Sequence, residues 1–228
     1  MEPKDPAVLL KALLALSVAA VLAALCLFLS AGSFRYWNAV ACVAEFYALE
    51  AGLAVYLHRR NPGLLAKRMG GKEKSAGQRR FIASANVLVA LSVLVLPGLD
   101  RRYGWSRLPG WASALAAAAM AASFLFQYVV VKENPYLYRT IEVSEGQKVV
   151  DRGLYARVRH PMYLSAIVIV VSMPLVLGSV YGFAASFALI VPLFAARIRR
   201  EEKVLKEELD GYAEYMDRVR YRLVPFLW

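Results

Sequence analysis

Long stretches without a charged residue alternate with short polar segments along the whole chain. A helix needs about 20 apolar residues to cross the hydrocarbon core of a bilayer. Repeated charge-free stretches of that length indicate membrane helices rather than the core of a soluble domain. Another apolar segment, residues 37–57, contains Glu45 and Glu50 and is predicted to be the second membrane helix. The charge-free stretches are residues 12–34, 81–99, 108–131 and 161–196.

The last of these stretches is too long for a single crossing of the membrane. Its 36 residues would make a straight helix of about 54 Å, and the sequence Gly178-Ser-Val-Tyr-Gly182 at its middle favours a turn. We therefore predict a helical hairpin of two short crossings, with kinks at Pro174 and Pro192. The fold class is then an all-α, polytopic integral membrane protein of about six transmembrane helices. The other predicted helices span residues 8–30, 37–57, 81–97 and 108–131.

The chain divides at about residue 131. Residues 1–131 hold the four predicted N-terminal transmembrane helices, and residues 132–228 hold the hairpin and the polar segments around it. From Ile198 onward, apolar residues recur at spacings of three, four and seven on a charged background. This pattern predicts an amphipathic helix that lies on the cytoplasmic membrane interface and covers the bundle. Its apolar stripe consists of Ile198, Leu205, Leu209, Tyr212, Met216 and Val219.

The basic residues are distributed unevenly over the polar segments. The net charge is +11, and the N-terminus, residues 57–80, residues 132–160 and the tail from Arg197 hold 2, 8, 6 and 8 of the 28 lysines and arginines. Because basic residues favour the cytoplasmic side of a membrane, this distribution predicts that both termini are cytoplasmic. It also favours contact with the headgroups of membrane lipids and argues against nucleic acid as the partner.

Polar side chains are concentrated at the two ends of the predicted hairpin. Residues 159–163, Arg-His-Pro-Met-Tyr, begin its first limb, and Glu201-Glu202 follow its second limb. Because a hairpin brings its two ends together, we expect His160 to lie close to Glu202. An acid, a base, an imidazole and a phenol around one opening favour a ligand site. Since the chain has only two histidines, a metal site made of several histidines is excluded.

Each of these residues also has a purely structural interpretation. Pro161 suits the first turn of a helix, and His160 would then be a simple cap. Glu201 and Glu202 would in that case form ion pairs with Arg197 and Lys206 along one helix, each worth only a few tenths of a kcal/mol.

The two acids of the second predicted helix form a separate candidate. Acids inside a membrane helix are functional candidates, and Glu45 and Glu50 would meet an amphiphilic acceptor that arrives from the lipid. The alternative is a polar contact between helices, with Gln127 or Asn86. At five residues apart the two acids face directions about 140° apart, so we do not expect them to share one site.

The C-terminal third carries an ordered set of motifs. Gly153-x-Tyr155 precedes Arg159-His160-Pro161-Met162-Tyr163, and Glu201-Glu202-x-x-Leu205 is followed by Tyr212-x-x-Tyr215 and Arg222-Leu-Val-Pro225. This set resembles the signature of the isoprenylcysteine carboxyl methyltransferase family, and membrane phospholipid methyltransferases share part of it. The resemblance implies an S-adenosyl-L-methionine pocket facing the cytosol in residues 132–228. It also implies a lipophilic or prenylated acceptor from the bilayer, methylated on its carboxylate.

The resemblance also assigns roles to individual residues. It implies catalytic roles for Arg159, Glu202 and Arg222. Two positions depart from the family pattern: Gln147 stands where His is frequent, and Ser165 stands where Gly is frequent. Gln147 still donates a hydrogen bond but cannot become cationic, and Ser165 is expected to narrow the cofactor channel. The implied cofactor contacts are Gln147, Val149, Tyr155, His160, Pro161, Tyr163, Glu201 and Glu202.

Other functions fit parts of the pattern. Membrane sterol and steroid reductases have a distantly similar C-terminal pattern and use NADPH. In such an enzyme, Arg199 and Arg200 would bind the 2′-phosphate of NADPH. A phospholipid amine N-methyltransferase is a second alternative, although an amine must lose a proton and a carboxylate needs no base. The third alternative is a scaffold or transporter, but no inverted repeat supports transport. The pattern makes no prediction about the oligomeric state.

Overall fold

The chain folds as a bundle of helices in a computed structural model that describes residues 5–70, 76–138, 141 and 143–228, with residues 76–82 described by their backbone alone. No strand occurs among these residues. A π-helical turn, Leu91–Val95, joins α4 to α5, and a short 3-10 turn, Gly153–Ala156, precedes α7. The helices are α1 (Pro6–Ala31), α2 (Trp37–Arg60), α3 (Pro62–Gly70), α4 (Ala76–Ala90), α5 (Leu96–Tyr103), α6 (Gly110–Glu133), α7 (Pro161–Val176), α8 (Val180–Glu208) and α9 (Tyr212–Arg218).

Most of the helices are long and apolar enough to cross a membrane. Five of those described meet both conditions: α1, α2, the α4–α5 unit over Ala83–Tyr103, α6 and α8. The sixth apolar helix, α7, has only 16 residues. The prediction of an all-helical membrane fold is therefore confirmed, and the number of crossings stays a prediction.

The bundle has two ends of different character. At one end, which we call the turn end, short turns join α1 to α2, α5 to α6 and α7 to α8. At the other end, the site end, α2 and α6 finish and α7 begins. Helix α3 and the described residues between α6 and α7 therefore lie at the site end. The segment after α8 returns to the same end.

The predicted hairpin is confirmed. Helix α7 ends at Val176, α8 begins at Val180, and Gly178 between them has a φ of +85°, which only glycine adopts without strain. Pro174 and Pro192 lie inside the two helices. The hairpin thus carries residues 161–163 and 201–202 back to the same end of the bundle.

The turn of the hairpin is held by side chains of other helices. The last carbonyls of a helix have no hydrogen-bond donor within it. At the end of α7, side chains of neighbouring elements supply these donors. The Tyr36 hydroxyl donates to the Leu177 carbonyl (2.6 Å), Asn38 Nδ2 donates to the Val176 carbonyl (2.8 Å), and the Ser113 hydroxyl donates to the Leu175 carbonyl (3.0 Å). At the turn end, hydrogen bonds therefore connect α2 and α6 to the hairpin.

A buried acid strengthens the same junction. Asp100, only 1% exposed, accepts hydrogen bonds from the Ser106 backbone N–H and hydroxyl, both at 2.6 Å. Its second oxygen also accepts a hydrogen bond from the Ser179 hydroxyl at 2.5 Å. Because a buried carboxylate is costly without such donors, Asp100 ties the α5–α6 turn to the hairpin turn.

The prediction that the third membrane helix ends at Pro97 is wrong. The helical path continues through Pro97 to Tyr103. A proline lacks the N–H group and its ring clashes with the preceding turn, but the wider π-helical turn at Leu91–Val95 precedes it. A π turn of this kind relieves the clash without ending the helix.

The prediction of a separate helix beginning at Ile198 is also wrong. Residues 198–208 continue α8, because no helix breaker occurs between Pro192 and Gly211. Gly211, with a φ of +80°, separates α8 from α9. Ile198 packs within the hairpin against Ile167 and Ile190, whereas the later residues of the stripe pack on the segment between α6 and α7. Their buried cluster consists of Leu209, Tyr212, Tyr215 and Val219, with Val143 and Val149 packed against it. The position of this part of the chain at the membrane interface stays a prediction.

Candidate active site

A cavity of about 630 Å³ opens at the site end of the bundle and extends between the helices. Charged and polar side chains line the part near the start of α7, and mainly apolar side chains, together with Glu50, Asn86 and Gln127, line the part along the membrane helices. The polar lining includes Arg68, Asn134, Gln147, Lys148, Arg159, His160, Tyr163, Arg197 and Glu201. The apolar lining includes Phe46, Ala166, Ile169, Val170 and Phe194.

The two ends of the hairpin meet beside this cavity, as predicted. The His160 Nε2 atom lies 3.3 Å from Glu202 Oε1, although 42 positions separate the two residues in sequence. His160 occupies the cap position of α7, but its side chain makes no capping hydrogen bond. The structural interpretation of His160 as a simple cap is therefore wrong.

Glu202 is the centre of a buried charge cluster. It is 5% exposed, and its Oε1 accepts from Arg159 Nε and Nη2, both at 2.8 Å. Its Oε2 accepts from Arg222 Nε at 2.9 Å. Hydrogen bonds of this kind between charged groups are stronger than neutral ones. Glu202 therefore holds Arg159, His160 and Arg222 together. The alternative interpretation, in which Glu202 pairs with a basic residue of its own helix, is not what the structure shows.

The backbone supports the same cluster. The Arg159 and His160 N–H groups donate to the Tyr221 and Arg222 carbonyls at 3.0 and 2.8 Å. Arg159 Nη1 also donates to the Val219 and Arg220 carbonyls at 2.6 and 3.1 Å. The segment that follows α9 is thus fastened to the segment before α7. This pairing explains how Arg222, far away in sequence, reaches Glu202.

A second polar group faces the cavity directly. The Tyr163 hydroxyl donates to Glu201 Oε2 and accepts from Arg197 Nε at 2.9 Å. The Tyr163 ring packs between His160 and Phe194, with centroid distances of 5.6 and 5.0 Å. The cavity wall therefore presents an acid, a base and an aromatic ring in fixed positions.

The segment between α6 and α7 forms another wall of the cavity. Gly153 has a φ of +61°, and a Cβ atom there would lie 2.4 Å from the Glu133 carboxylate. That carboxylate accepts a hydrogen bond from the Leu154 N–H at 2.8 Å. The turn that carries Tyr155 is therefore fixed to the end of α6, and only glycine fits at its start.

Tyr155 presents a buried hydroxyl at this wall. Asn134 lies close by, but among the described residues no group meets the hydroxyl in good hydrogen-bond geometry. The Tyr155 carbonyl accepts from the Tyr215 hydroxyl at 2.7 Å. Burial raises the pKa of Tyr155 and of Tyr215 well above the ordinary value, so both hydroxyls keep their protons. Tyr155 is thus able to donate a hydrogen bond to a bound ligand.

The cavity separates the predicted site residues into two groups. Seven of them line it: Gln147, Val149, Tyr155, Arg159, His160, Tyr163 and Glu201. Three do not: Pro161 is buried at the first position of α7, and Glu202 and Arg222 lie behind Arg159 and His160. The Gln147 side chain, whose Oε1 accepts from the Ser144 N–H at 3.1 Å, is held at the wall by its own turn.

Several lining residues were not predicted. Asn134, Tyr136 and Lys148 belong to the segment between α6 and α7, and Phe194 belongs to α8. The length of that polar segment was the available signal, because long connections within a compact fold are usually functional. Arg68 comes from α3 and had no signal beyond its charge.

The expectation that Ser165 narrows the channel is wrong. Ser165 is 1% exposed and lies between α6 and α7 rather than at the cavity. Its hydroxyl donates to the Ser123 carbonyl at 3.0 Å, and the Ser123 hydroxyl donates to the Ser165 carbonyl at 3.2 Å. A small residue is needed there because the two helices approach closely, and serine joins them by reciprocal hydrogen bonds.

The family model described as "Isoprenylcysteine carboxyl methyltransferase (ICMT) family" matches residues 113–207. A solved structure of the eukaryotic intramembrane Ras methyltransferase ICMT, without a monobody, is 17% identical to the chain. The match covers 82% of this chain and 68% of that one, with a TM-score of 0.49. No curated protein sequence matches the chain.

Proposed function

We propose that this protein, whose residues 113–207 match the model of the isoprenylcysteine carboxyl methyltransferase family, is a membrane methyltransferase that transfers a methyl group from S-adenosylmethionine to the carboxylate of a lipophilic acceptor. The observation that carries the proposal is the cavity that joins a charged end to an apolar interior. A water-soluble methyl donor suits the charged end, and a lipid chain suits the interior. Both reactants then meet in one enclosed space.

The residues of the charged end fit the donor. The carboxylate of Glu201 suits its ammonium group, and His160 or Arg197 suits its carboxylate. Tyr155 and Tyr212 offer aromatic faces for the adenine, and Tyr163 offers one to the sulfonium through cation–π attraction. The buried Tyr155 hydroxyl supplies a donor that no described residue uses in good geometry. Bound S-adenosylmethionine supplies an electrophilic methyl group on sulfur.

The chain's own residues contribute mainly by positioning. Arg159 lines the cavity, and its guanidinium is held by Glu202 and by two backbone carbonyls. One of its five N–H groups remains for the acceptor carboxylate. We assign the catalytic role to Arg159 and positioning roles to Glu202 and Arg222. Holding the two reactants in line supplies most of the acceleration in such a transfer.

The arrangement favours a carboxylate acceptor over an amine. A carboxylate is already nucleophilic, whereas a protonated amine needs a base to remove its proton. At the charged end, His160 is engaged by Glu202, and Glu201 is engaged by Tyr163. Neither is placed as an uncommitted base. The walls formed by Ile169, Val170 and Phe194 exclude water from the reacting groups.

The geometry does not support the arginine pair that was predicted to recognise NADPH in a reductase. Recognition of the 2′-phosphate needs basic side chains at the cofactor. Arg199 and Arg200, the candidates for that contact, are exposed and do not line the cavity.

The test uses the detergent-purified protein and radiolabelled S-adenosylmethionine, with a farnesylated cysteine and a long-chain amine as acceptors. We expect label transfer to the farnesylated cysteine, in a product that releases methanol on treatment with alkali, because a methyl ester is alkali-labile and a methylamine is not. Transfer to the amine alone, or an alkali-stable product, would contradict the carboxylate proposal. Binding of NADPH but not of S-adenosylhomocysteine would contradict the reaction class.

A further inference from the structure

Residues 222–228, which we call the tail loop, close on themselves through the backbone. The Arg222, Leu223 and Val224 N–H groups all donate to the main-chain oxygen of Trp228, at 2.9, 3.0 and 3.4 Å. The Trp228 N–H group donates to the Val224 carbonyl at 3.2 Å. Successive backbone N–H groups around one oxygen form a nest. The tail loop therefore holds Trp228 against its own first residue, Arg222.

The backbone of Phe226 shows that the tail loop is constrained. Its φ is +65°, and no other described residue apart from glycine has a positive φ. Such a conformation is strained for a residue with a side chain and persists only where the surroundings enforce it. Phe226 and Leu227 are exposed, whereas Leu223 is buried and Trp228 packs on the cluster that Leu223 shares with the hairpin. The loop thus points two side chains outward and Trp228 inward.

The Trp228 ring lies against the guanidinium group of Arg222. The Arg222 Cζ atom is 5.3 Å from the centroid of the ring, which is within the range of cation–π attraction. The Nε atom of the same guanidinium donates to Glu202 Oε2 at 2.9 Å. Arg222 is therefore held between an aromatic ring and a carboxylate.

Arg222 has fewer restraints than the other arginine of the cluster. The Arg159 side chain is 4% exposed and donates to Glu202 and to two backbone carbonyls. The Arg222 side chain is 30% exposed, and within the described part of the chain its hydrogen bond to Glu202 is the only one that it makes. One such bond at a partly exposed position restrains a flexible side chain weakly. The Trp228 ring supplies the second restraint.

The orientation of Arg222 affects the rest of the cluster through Glu202. Glu202 Oε2 accepts from Arg222, whereas Oε1 accepts from Arg159 and lies 3.3 Å from His160 Nε2. Because the two oxygens belong to one planar group, a rotation of the carboxylate that follows Arg222 also moves Oε1. Such a rotation would displace Arg159 and His160, both of which line the cavity.

We propose that Trp228 is a positioning residue, whose ring keeps Arg222 on Glu202 and thereby orients Arg159 toward the cavity. This inference rests on the proposed function, in which Arg159 meets the carboxylate of the acceptor. Trp228 lies outside residues 113–207, which match the family model, so that match assigns it no role.

The first experiment measures methyl transfer to a farnesylated cysteine by two variants of Trp228. Trp228→Leu keeps an apolar side chain on the hairpin but removes the aromatic ring, and we expect kcat to fall about tenfold or more because the reacting groups are displaced. Trp228→Phe restores an aromatic ring for Arg222 and should keep kcat within about threefold of wild type. Leu227→Ala is the matched control, at the neighbouring exposed position, and should have the wild-type kcat.

The second experiment observes Arg222 directly and needs no methyl transfer. In protein labelled with ¹⁵N-arginine, NMR measures the hydrogen exchange of the Arg222 Nε–H group, and Arg222→Lys assigns its signal. We expect exchange to be about tenfold faster or more in Trp228→Leu, because the hydrogen bond to Glu202 then opens more often. Trp228→Phe and Leu227→Ala should exchange like wild type. Melting temperatures of the three variants check that each is folded.

The two measurements separate this inference from the proposed function. Absence of methyl transfer by wild-type protein would contradict the proposed function, while the exchange of Arg222 would still test its contact with Trp228. Wild-type exchange in folded Trp228→Leu would overturn the inference. Faster exchange with a wild-type kcat would overturn it as well, because Arg222 would then not position the reacting groups. Equal losses of kcat in Trp228→Leu and Trp228→Phe would overturn the role of the aromatic ring.

Discussion

At the scale of single residues, the site depends on one buried carboxylate that does not touch the cavity. Glu202 holds two arginines and an imidazole at distances of 2.8–3.3 Å. Removing it would leave Arg159 buried without its counter-charge, which typically costs about 3–5 kcal/mol. Glu201, its neighbour, lines the cavity instead and is bonded to Tyr163. Adjacent glutamates on one helix therefore have different surroundings: the first faces the cavity, and the second holds the cations behind it.

The first prediction concerns the cofactor contacts. Glu201→Gln and His160→Ala should each weaken the binding of S-adenosylhomocysteine at least tenfold, or about 1.4 kcal/mol, as measured by calorimetry. The reason is the loss of a charged or hydrogen-bonding group from the cavity wall. Glu207→Gln, at an exposed position of the same helix, is the matched control and should bind like wild type. Wild-type affinity in both site variants would place the cofactor elsewhere.

The second prediction concerns the coupling between the two hairpin ends. Because His160 and Glu202 are in contact, the effects of His160→Ala and Glu202→Ala on cofactor affinity should not add. Neighbours that share a partner typically couple by about 0.5–3 kcal/mol. The measurement is a double-mutant cycle, with His160→Ala and Glu207→Ala as a control pair that should be additive. Additive effects for the first pair would mean that the two residues act on the cofactor independently.

At the scale of the elements, the hairpin is anchored at both of its ends by different means. At the site end, its first residues pair with the backbone that follows α9. At the turn end, side-chain hydroxyl and amide groups at the starts of α2 and α6 donate hydrogen bonds to the last carbonyls of α7. The helix pair between these anchors contains Pro174 and Pro192, which weaken its internal hydrogen bonding. The anchors therefore fix a hairpin that would otherwise bend.

The third prediction tests the anchor at the turn end. Tyr36→Phe removes the hydroxyl that donates to the Leu177 carbonyl and leaves that buried carbonyl without this partner, at a cost of about 1–3 kcal/mol. Thermal unfolding in detergent should show a melting temperature lower by several degrees, with cofactor affinity unchanged. Tyr103→Phe, at a position 60% exposed, is the control. Equal melting temperatures for the two variants would contradict the anchoring role of Tyr36.

At the scale of the whole molecule, the turns and the polar segments lie at opposite ends of the bundle. The site end carries the described parts of the basic segments, residues 57–70 and 143–160, together with the C-terminal tail. The turn end carries the short turns and the buried Asp100. Because the positive charges lie mainly at one end, the charge asymmetry and the position of the site point to the same side of the membrane.

The fourth prediction concerns that orientation. Reporter fusions after Arg80 and after Trp228 should both report the cytoplasm, because the flanking segments are rich in lysine and arginine. A fusion after Arg107, in the turn between α5 and α6, is the control and should report the opposite side. A non-cytoplasmic signal at Arg80 or Trp228 would contradict the predicted topology.

The large-scale arrangement was predictable because it depends on long runs of residues. A charge-free stretch too long for one crossing required the hairpin, and the hairpin required His160 to meet Glu202. Local exceptions were not predictable in the same way. The π turn that lets the helix pass Pro97, and the close approach of α6 to α7 that buries Ser165, depend on packing between distant segments. The fit of Gly153 against Glu133 likewise requires the path of the chain in space.

The shortness of α7 determines how far an acceptor must travel to react. Sixteen residues span about 24 Å, whereas the 24 residues of α6 span about 36 Å. Because Ser113, near the start of α6, donates a hydrogen bond to the carbonyl of Leu175, near the end of α7, the start of α7 at His160 is recessed below the end of α6. Extracting a lipid chain into water costs about 0.8 kcal/mol per methylene. In the proposed reaction, a recessed site would avoid that extraction, because the soluble methyl donor would reach a lipid that stays in its leaflet.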